Sequence, residues 1–320
     1  MSRFCYHGKV LHLDLATRRF WVEECDDRFW RIYGGGGLLA TYYLLRECPP
    51  GIGSFDPANL LILTSSVVAG HPYTALARYT ASAKSPLTGG IGETRCEGPF
   101  GIALKGSGAD TLVFHGAADV PTVVVIEDGQ AAFHDAKDLW GRHISEAADR
   151  LEAKFGPSIH TAIIGPAGER LVRYASIVSD RTYQAARMGM GAVMGAKRLK
   201  GIAIRGDHHP PVSAPLTCAE ITEQYRARMP DNALTRWQLD PPGFSAWVHL
   251  HGLDAALCTR NYRDSVFEAA DCYEVGRFMR YYRHEGTCPG CPNNCIKFFA
   301  ADDDITYDPR AGGIHQEIAG

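Results

Sequence analysis

The first residues of the chain alternate between apolar and polar side chains in the way a β-hairpin requires. Leu11 and Leu13 fall on one face of residues 8–24, whereas His12 and Asp14 fall on the other. A repeat of two is the period of an extended strand whose two faces meet different surroundings. The pattern therefore predicts two strands joined by the short Ala-Thr-Arg-Arg segment, with His12 on the polar face.

Other short apolar or alternating segments predict further strands. They lie at residues 60–64, 78–84, 111–115, 122–127, 131–134, 160–165, 174–178 and 201–205. Residues 85–101 are rich in turn-forming residues and predict an irregular loop that enters a short helix ending at Lys105. Long loops between strands are common places for binding sites.

Helical spacing occurs at two places within the first two hundred residues. Residues 38–45 show it after the glycine run 34–37 and stop before Pro49. Residues 142–155 carry an apolar stripe at helical spacing, made of Ile144, Ala148, Leu151 and Phe155. Such a stripe predicts a helix that packs against a core.

Residues 207–215, rich in proline and polar side chains, mark the predicted domain boundary. Beyond them the apolar period changes to that of helices, near residues 220–228, 242–251 and 274–282. We therefore predict an α+β protein, with a strand-rich first domain over residues 1–209. Residues 210–320 would form the start of a helical domain.

Composition and charge narrow the class of protein. The 320 residues are 45% hydrophobic and 22% charged, which is typical of a globular chain that buries a core. A net charge of −3 shows no basic excess, so nucleic acid and anionic membranes are poor candidates for a main partner. The first residues contain no long apolar run, so we expect neither signal peptide nor membrane span, and a cytoplasmic location.

Three cysteines close together are the clearest candidate for a metal site. Cys288, Cys291 and Cys295 stand at i, i+3 and i+7, a spacing that suits a tight turn running into a helix around an iron–sulfur cluster. A Cys3His zinc site completed by His284 is an alternative. Disulfides and unligated thiols are two further alternatives, and a reducing cytosol argues against the disulfides.

Two glycine-rich segments allow two interpretations each. Gly34–Gly37 opens a predicted helix, and glycines recur at 189, 191 and 195 near Arg187. Backbone N–H groups at such places can bind phosphate or another anion. Close packing of one backbone on another would require the same residue type.

Several blocks in the same order resemble the aldehyde ferredoxin oxidoreductase family, whose members carry tungsten or molybdenum on pterins. They include Arg78-Tyr79 with Lys84–Gly89, Phe100-Gly101, Leu104-Lys105, Ile164–Glu169, Gly191–Gly195 with Lys197, Gly252-Leu253, Asn261-Tyr262 and the cysteine triad. The resemblance spans nearly the whole chain but only about the first half of a typical member.

The resemblance implies a first domain of two packed β-sheets that holds two pterins. By position, the pterin-contacting residues would be Arg78, Arg95, Cys96, Glu97, Tyr183, Gln184, Ala186 and Arg187. Arginine suits this role because its planar fork matches phosphate. Peptide carbonyls at Arg95 and Gln184 would hold Mg²⁺ between the pterin phosphates. The triad and a distant fourth cysteine would hold a [4Fe-4S] cluster that passes electrons to ferredoxin.

Some positions depart from the family pattern. Arg95-Cys96-Glu97-Gly98 stands where relatives commonly have Asn-Ser-Gly-Gly. Glu97 would place a carboxylate near phosphate, which is unfavourable unless Arg95 or Mg²⁺ offsets its charge.

Glu317, near the end of the sequence, resembles a glutamate that is proposed to transfer protons in this family. A solvated glutamate at a helix start is the alternative.

The predicted function follows from the resemblance. We expect an oxidoreductase, or its N-terminal part, that oxidises aldehydes to carboxylic acids or runs a related low-potential reaction. A second chain would supply the remaining half if the gene is split. The alternative is a non-catalytic iron–sulfur or zinc module derived from such an enzyme. A radical enzyme using S-adenosylmethionine is rejected because the cysteine spacing is reversed and no barrel pattern precedes it.

Overall fold

The computed structural model describes residues 5–71, 73, 75–243, 246, 252, 254–299 and 313–314. The chain divides into two compact units, Met1–Pro215 and Leu216–Gly320. Among the described residues, no helix combines the length and the apolar character that crossing a bilayer requires. Each unit has its own sheet structure.

The first sheet of the first unit has six strands in the order β2-β1-β6-β3-β4-β5. Their bounds are Lys9–Asp14 (β1), Arg19–Glu24 (β2), Leu61–Thr64 (β3), Arg78–Lys84 (β4), Ile91–Glu97 (β5) and Thr111–His115 (β6). The predicted hairpin β1–β2 is antiparallel, and β1 runs parallel to β6. The loop prediction for residues 85–101 is partly wrong, because β5 pairs with β4 along its whole length.

The second sheet also has six strands, in the order β11-β10-β9-β12-β7-β8. They are Thr122–Glu127 (β7), Gln130–Asp135 (β8), His160–Ile163 (β9), Ile177–Ser179 (β10), Tyr183–Ala185 (β11) and Leu199–Arg205 (β12). The strand β7 is parallel to β12 and the other pairs are antiparallel. The short edge strand β11 was not predicted from the sequence.

One continuous apolar core joins the two sheets. It contains side chains from both, among them Leu11, Leu63 and Tyr79 of the first sheet and Ile177 and Ile202 of the second. Two short helices, Pro99–Gly106 (α3) and Met190–Ala196 (α6), add Phe100, Leu104, Val193 and Met194 to the same core. The predicted α+β fold with two packed sheets in the first domain is confirmed.

Helices cover the outer faces of both sheets. Asp27–Tyr33 (α1) and Gly36–Glu47 (α2) bury Trp30, Leu39 and Tyr43 against the first sheet. Ile144–Phe155 (α4) buries Ala147, Ala148 and Leu151 against the second, as its predicted stripe indicated. A one-turn helix, Pro166–Glu169 (α5), follows β9. His12 lies on the face of β1 opposite Leu11 and Leu13, as predicted, but helices cover that face and His12 is only 1% exposed.

The glycines show close backbone packing. A Cβ on Gly35 would lie 2.4 Å from the carbonyl oxygen of Ser65, and one on Gly37 would lie 1.7 Å from Oε2 of Glu93. The carboxylate of Glu93 therefore lies against the N-terminal turn of α2, where an anion is favoured. At Gly195 a Cβ would meet the Gly168 carbonyl oxygen at 2.0 Å. These contacts favour the packing interpretation of both glycine segments.

The second unit contains both helices and strands. Its described helices include Pro215–Arg228 (α7), Ala233–Leu239 (α8) and Val275–Met279 (α9), with 3-10 turns at Met229–Asp231 and Ala270–Tyr273. Tyr282–Gly286 (β13), Ile296–Phe299 (β14) and Gly313–Ile314 (β15) form an antiparallel sheet. The helix predicted at 274–282 ends at Met279, and most of the one predicted at 242–251 lies outside the described residues.

Candidate functional site

Most of the predicted pterin-contacting residues lie on or just after two edge strands that contact each other. These strands are β5 of the first sheet and β11 of the second, and Arg78 lies on β4 beside β5. The backbone N–H of Arg187 donates to Oγ1 of Thr94 at 3.1 Å, which fixes the segment after β11 to β5. Two segments about one hundred residues apart in sequence thus form one surface.

Arg78 and Glu97 face each other across β4 and β5. They are register partners, and Nη2 of Arg78 lies 3.5 Å from Oε1 of Glu97. The side chain of Arg78 is 36% exposed and that of Glu97 only 10%. Nε of Arg78 is buried and has no hydrogen-bond partner among the described residues. The guanidinium therefore has one edge on a carboxylate and further donors available to an acceptor such as phosphate.

Arg95 and Cys96 point to opposite faces of β5, as neighbours on a strand do. The side chain of Arg95 is 66% exposed, and its Nε donates to Glu93 at 3.0 Å. Cys96 is fully buried in the core, with its Sγ 3.5 Å from the Glu97 carbonyl oxygen and 4.0 Å from Oγ of Ser179. A ligand can therefore meet position 96 through the backbone but not through the thiol.

The residues after β10 complete this surface. Tyr183 packs beside the core, and a Cβ on Gly98 would lie 2.5–2.7 Å from its ring. Gln184 and Ala186 are half-buried, and the side chain of Arg187 is exposed. The sequence predicted the individual residues but not the role of Gly98, whose missing side chain makes room for the Tyr183 ring.

The cysteine motif lies in the second unit, in the loop between β13 and β14. Cys288 is 8% exposed, and Cys291 and Cys295 are half-buried. The N–H of Cys291 donates to the carbonyl oxygen of Cys288 at 3.0 Å, closing a tight turn. Oγ1 of Thr287 donates to the carbonyl oxygen of Cys291 at 2.6 Å. The expected turn is present, but the chain continues into the strand β14 and not into a helix.

Two of these thiols influence a tyrosine on α7. Partial burial raises the pKa of Tyr225, and electrostatic interactions with Cys291 and Cys295 raise it further. Tyr225 is thus near two of the three candidate ligands.

The zinc and disulfide alternatives receive no support from the described residues. The ring of His284 stacks on that of Phe298, with centroids 4.4 Å apart. The three sulfurs are not all within 4.8 Å of one another, whereas thiolates on one tetrahedral Zn²⁺, at about 2.3 Å from the ion, would be about 3.8 Å apart. The cysteines within the described part of the chain are all free of disulfides.

Glu317, the predicted proton-transfer residue, lies outside the described residues. Gly313 and Ile314, a few residues before it, pair with Phe298 and Lys297 of β14.

Comparison with known proteins identifies relatives along nearly the whole chain. The family described as aldehyde ferredoxin oxidoreductase, N-terminal domain, matches residues 10–206. Tungsten-containing aldehyde ferredoxin oxidoreductase of Thermococcus kodakarensis is 33% identical over 90% of this chain and 48% of its own length. The protein of the same name from Pyrococcus abyssi is 32% identical over 97% of this chain and 50% of its own. The chain thus spans about half the length of these curated relatives.

More distant relatives carry other names. The aliphatic sulfonate oxidoreductase, WOR-like subunit, of Pyrococcus furiosus is 26% identical over 97% of this chain and 51% of its own length. Among solved structures, the active site complex BamBC of benzoyl coenzyme A reductase with 1,5-dienoyl-CoA matches with a TM-score of 0.81 and 27% identity. That match covers 94% of this chain and 48% of the other.

The family match covers more than half of the residues, and the two tungsten-containing relatives match 90% and 97% of the chain. The fold agrees, since the matched residues form the two packed sheets. The predicted family is therefore confirmed, and with it membership in a family of enzymes. The chain belongs to the aldehyde ferredoxin oxidoreductase family.

Proposed function

We propose that this chain is the pterin-binding and cluster-binding part of a tungsten- or molybdenum-dependent oxidoreductase. The observation that carries the proposal is the meeting of β5 and β11, which brings the segments of Arg78 and Arg187 to one surface. Both arginines are accessible there, and always carry a positive charge. A doubly phosphorylated organic cofactor needs such a pair of cationic anchors.

The residues present fit such a cofactor. Nε of Arg78 is a buried donor without a described partner, and buried donors in folded proteins are normally satisfied. Glu97 holds one edge of that guanidinium, so a phosphate oxygen would bind the remaining donors. Cys96 would act through its backbone because its thiol is in the core. Mg²⁺ would use peptide carbonyls at Arg95 and Gln184, since this ion prefers oxygen ligands.

The bound metal centre would supply the redox chemistry: an aldehyde and one water become a carboxylic acid, two protons and two electrons. Tungsten appears in the names of the relatives from Thermococcus and Pyrococcus, and the benzoyl coenzyme A reductase complex is named for a reduction. These names support tungsten as the metal, and oxidation of an aldehyde or a related low-potential reaction; molybdenum remains the alternative metal of the proposal.

The cysteine loop would carry electrons away from the site. Cys288, Cys291 and Cys295 would give three ligands of a [4Fe-4S] cluster, with a fourth from sequence beyond this chain. Ferredoxin, which accepts one electron at a time, would be the partner in the cytoplasm. Glu317 would move a proton at the substrate.

The missing part of the active site would come from further sequence or from a second chain. Relatives of the family are about twice as long as this chain. The alternative function, a non-catalytic iron–sulfur or zinc module, would need only the cysteine loop and no pterin.

The test is the content of protein purified without oxygen, together with any chain that accompanies it. We expect tungsten or molybdenum, a fluorescent pterin after oxidation, and iron with equimolar acid-labile sulfide. Absence of both tungsten and molybdenum with the partner present would refute the proposal. Iron or zinc without pterin would establish the non-catalytic alternative.

A matched pair of cysteine variants separates the two cofactors. Cys291→Ser should lower the iron and sulfide content and leave tungsten or molybdenum and pterin bound, because the two sites use different residues. Cys272→Ser changes an exposed cysteine outside the motif and should alter neither content. Equal iron content in the two variants would show that the cysteine loop does not bind the cluster.

A further inference from the structure

A second group of potential metal ligands lies on the outer side of the first sheet and has no part in the proposed function. His12 is on β1, His115 ends β6 and Glu47 ends α2. One ligand atom from each side chain lies within 4.8 Å of the other two. Among the described residues, these three form the group that meets this distance criterion.

The hydrogen bonds determine which nitrogens are available. Oε2 of Glu23 lies 3.0 Å from Nε2 of His12, and because a carboxylate only accepts, Nε2 carries the proton. Nδ1 of His12 then has a lone pair and lies 2.9 Å from Nε2 of His115, which must donate to it. The remaining nitrogen of His115, Nδ1, lies 3.8 Å from Oε2 of Glu47, which is too long for a direct hydrogen bond.

A metal ion would fit between the two rings in place of their hydrogen bond. Two imidazole nitrogens bound at about 2.0–2.1 Å to a tetrahedral ion are about 3.3 Å apart. Nδ1 of His12 and Nε2 of His115, at 2.9 Å, are close to that separation. His115 would change tautomer and carry its proton on Nδ1. Neutral imidazole is the form that binds metals.

The surroundings resemble the outer shell of a metal site. Glu23, which holds His12, itself accepts from Oη of Tyr43 at 3.0 Å and from Arg46 at 3.1 Å. A carboxylate behind a ligating histidine fixes its orientation and raises its basicity. The ring of Trp21 stacks on His12 with an interplanar angle of 4°.

The net charge of the group favours the binding of a divalent cation. Arg46 pairs with both Glu23 and Glu47, at 3.1 Å and 2.8 Å, so two carboxylates share one guanidinium. With neutral histidines the group has a net charge of −1. The side chains of His115 and Glu47 are 20% and 23% exposed, so an ion and a water ligand can reach the group from solvent.

We propose that His12, His115 and Glu47 form a binding site for a divalent transition-metal ion such as Zn²⁺, with Glu23 as the residue that positions His12. Two imidazoles and one carboxylate, with a position left for water, is a donor set that Zn²⁺ uses in other proteins. The site is independent of the pterin surface, since no residue is shared.

The test uses the full chain with Cys288, Cys291 and Cys295 changed to serine, so that these thiolates do not compete for the metal. Co²⁺ is added as a spectroscopic probe, and Zn²⁺ is then used to displace it. We expect one Co²⁺ per chain with visible absorption bands, displaced by Zn²⁺. His115→Gln and Glu47→Gln should each weaken binding at least about tenfold, and Glu23→Gln by about 10- to 100-fold.

A matched control is His134→Gln, a half-buried histidine on β8 of the other sheet, which should bind Co²⁺ like the parent. Glu47 is partly exposed at a helix end, so its variant should keep the parent's thermal unfolding midpoint. No Co²⁺ uptake at about 100 µM, weaker than ordinary protein sites, would overturn the proposal. Equal uptake by the parent and Glu47→Gln would overturn it as well.

Discussion

The hydroxyl oxygens of Tyr79 and Ser179 lie 2.7 Å apart in the buried space between the two sheets. Tyr79 belongs to β4 of the first sheet and Ser179 to β10 of the second, and both are at most 1% exposed. This hydrogen bond joins the two layers beside the strands that carry the proposed cofactor surface. Together with the hydrogen bond from the Arg187 N–H to Thr94, it fixes β5 relative to β11.

Tyr79→Phe should destabilise the first unit by about 1–2 kcal/mol, because Ser179 keeps a buried hydroxyl without its main partner. Urea unfolding monitored by circular dichroism measures the change. Tyr174→Phe, at a side chain that is 72% exposed, is the control and should leave the midpoint unchanged. Equal midpoints for the two variants would show that the buried hydrogen bond contributes nothing net.

Gly98→Ala should destabilise the protein by about 1–3 kcal/mol. Gly98 has φ +105°, and a Cβ there would overlap the ring of Tyr183 at 2.5 Å. The ring would have to leave the proposed pterin surface. Gly53→Ala is matched, because no atom lies within 4 Å of its Cβ and its φ is not in the left-handed region. The thermal unfolding midpoints of the two variants measure this difference. A Gly98→Ala midpoint as high as that of Gly53→Ala would contradict the expected overlap with the Tyr183 ring.

Arg78→Gln should lower the pterin retained after purification more than Arg95→Gln does. Arg78 has a buried Nε without a described partner, whereas Arg95 is exposed and paired with Glu93. A glutamine keeps hydrogen-bonding capacity but removes the charge that attracts phosphate. Pterin fluorescence after oxidation measures the effect. A larger loss of pterin for Arg95→Gln would show that Arg95 on β5, and not Arg78, is the main phosphate anchor.

His160 gives a pH dependence of stability with a defined sign. Its hydrogen bond to Asp180, at 3.2 Å, raises the pKa of the ring above 6.5. Stabilisation from this pair is therefore fully present below pH about 6.5 and is lost as pH rises through the raised folded-state pKa. The side chain of His160 is 38% exposed, so the effect should be at most about 1 kcal/mol.

His160→Gln should accordingly cost more stability at pH 5.5 than at pH 8.5, measured by urea unfolding. His134 should give the opposite pH dependence of stability, because burial lowers its pKa. Protonation of His134 below pH about 6.5 opposes folding. His134→Gln should therefore increase the free energy of unfolding most at low pH. The same pH trend in both variants would contradict the assigned causes.

Much of the first unit was predictable because its strands have clear local patterns. The hairpin β1–β2 and the strands β3, β4, β6, β7 and β12 have apolar periods or runs that no other element explains. The stripe on α4 identified its buried face. The helix α1 escaped prediction, although Asp26 caps it by accepting from the N–H of Phe29 and Gly34 ends it in the left-handed conformation. Those two signals were present in the sequence.

Other elements have no local pattern that identifies them. The segments Glu93-Thr94-Arg95 and Tyr183-Gln184-Ala185 are short and polar, and they become strands because each pairs with a neighbour at a sheet edge. Strand β13 likewise exists through its pairing with β14. Edge strands of this kind depend on partners far away in sequence, so a window of a few residues cannot show them.

The sequence by itself determined the family, the arginines of the proposed cofactor surface and the three clustered cysteines, because these are local features of residue type and spacing. Only the tertiary structure decided that Cys96 points into the core and that α2 buries His12. It also brought His12, Glu47 and His115 together from three distant segments. The physical reason is that contacts between side chains on separate elements arise from the packing of those elements, which the local order of residues does not encode.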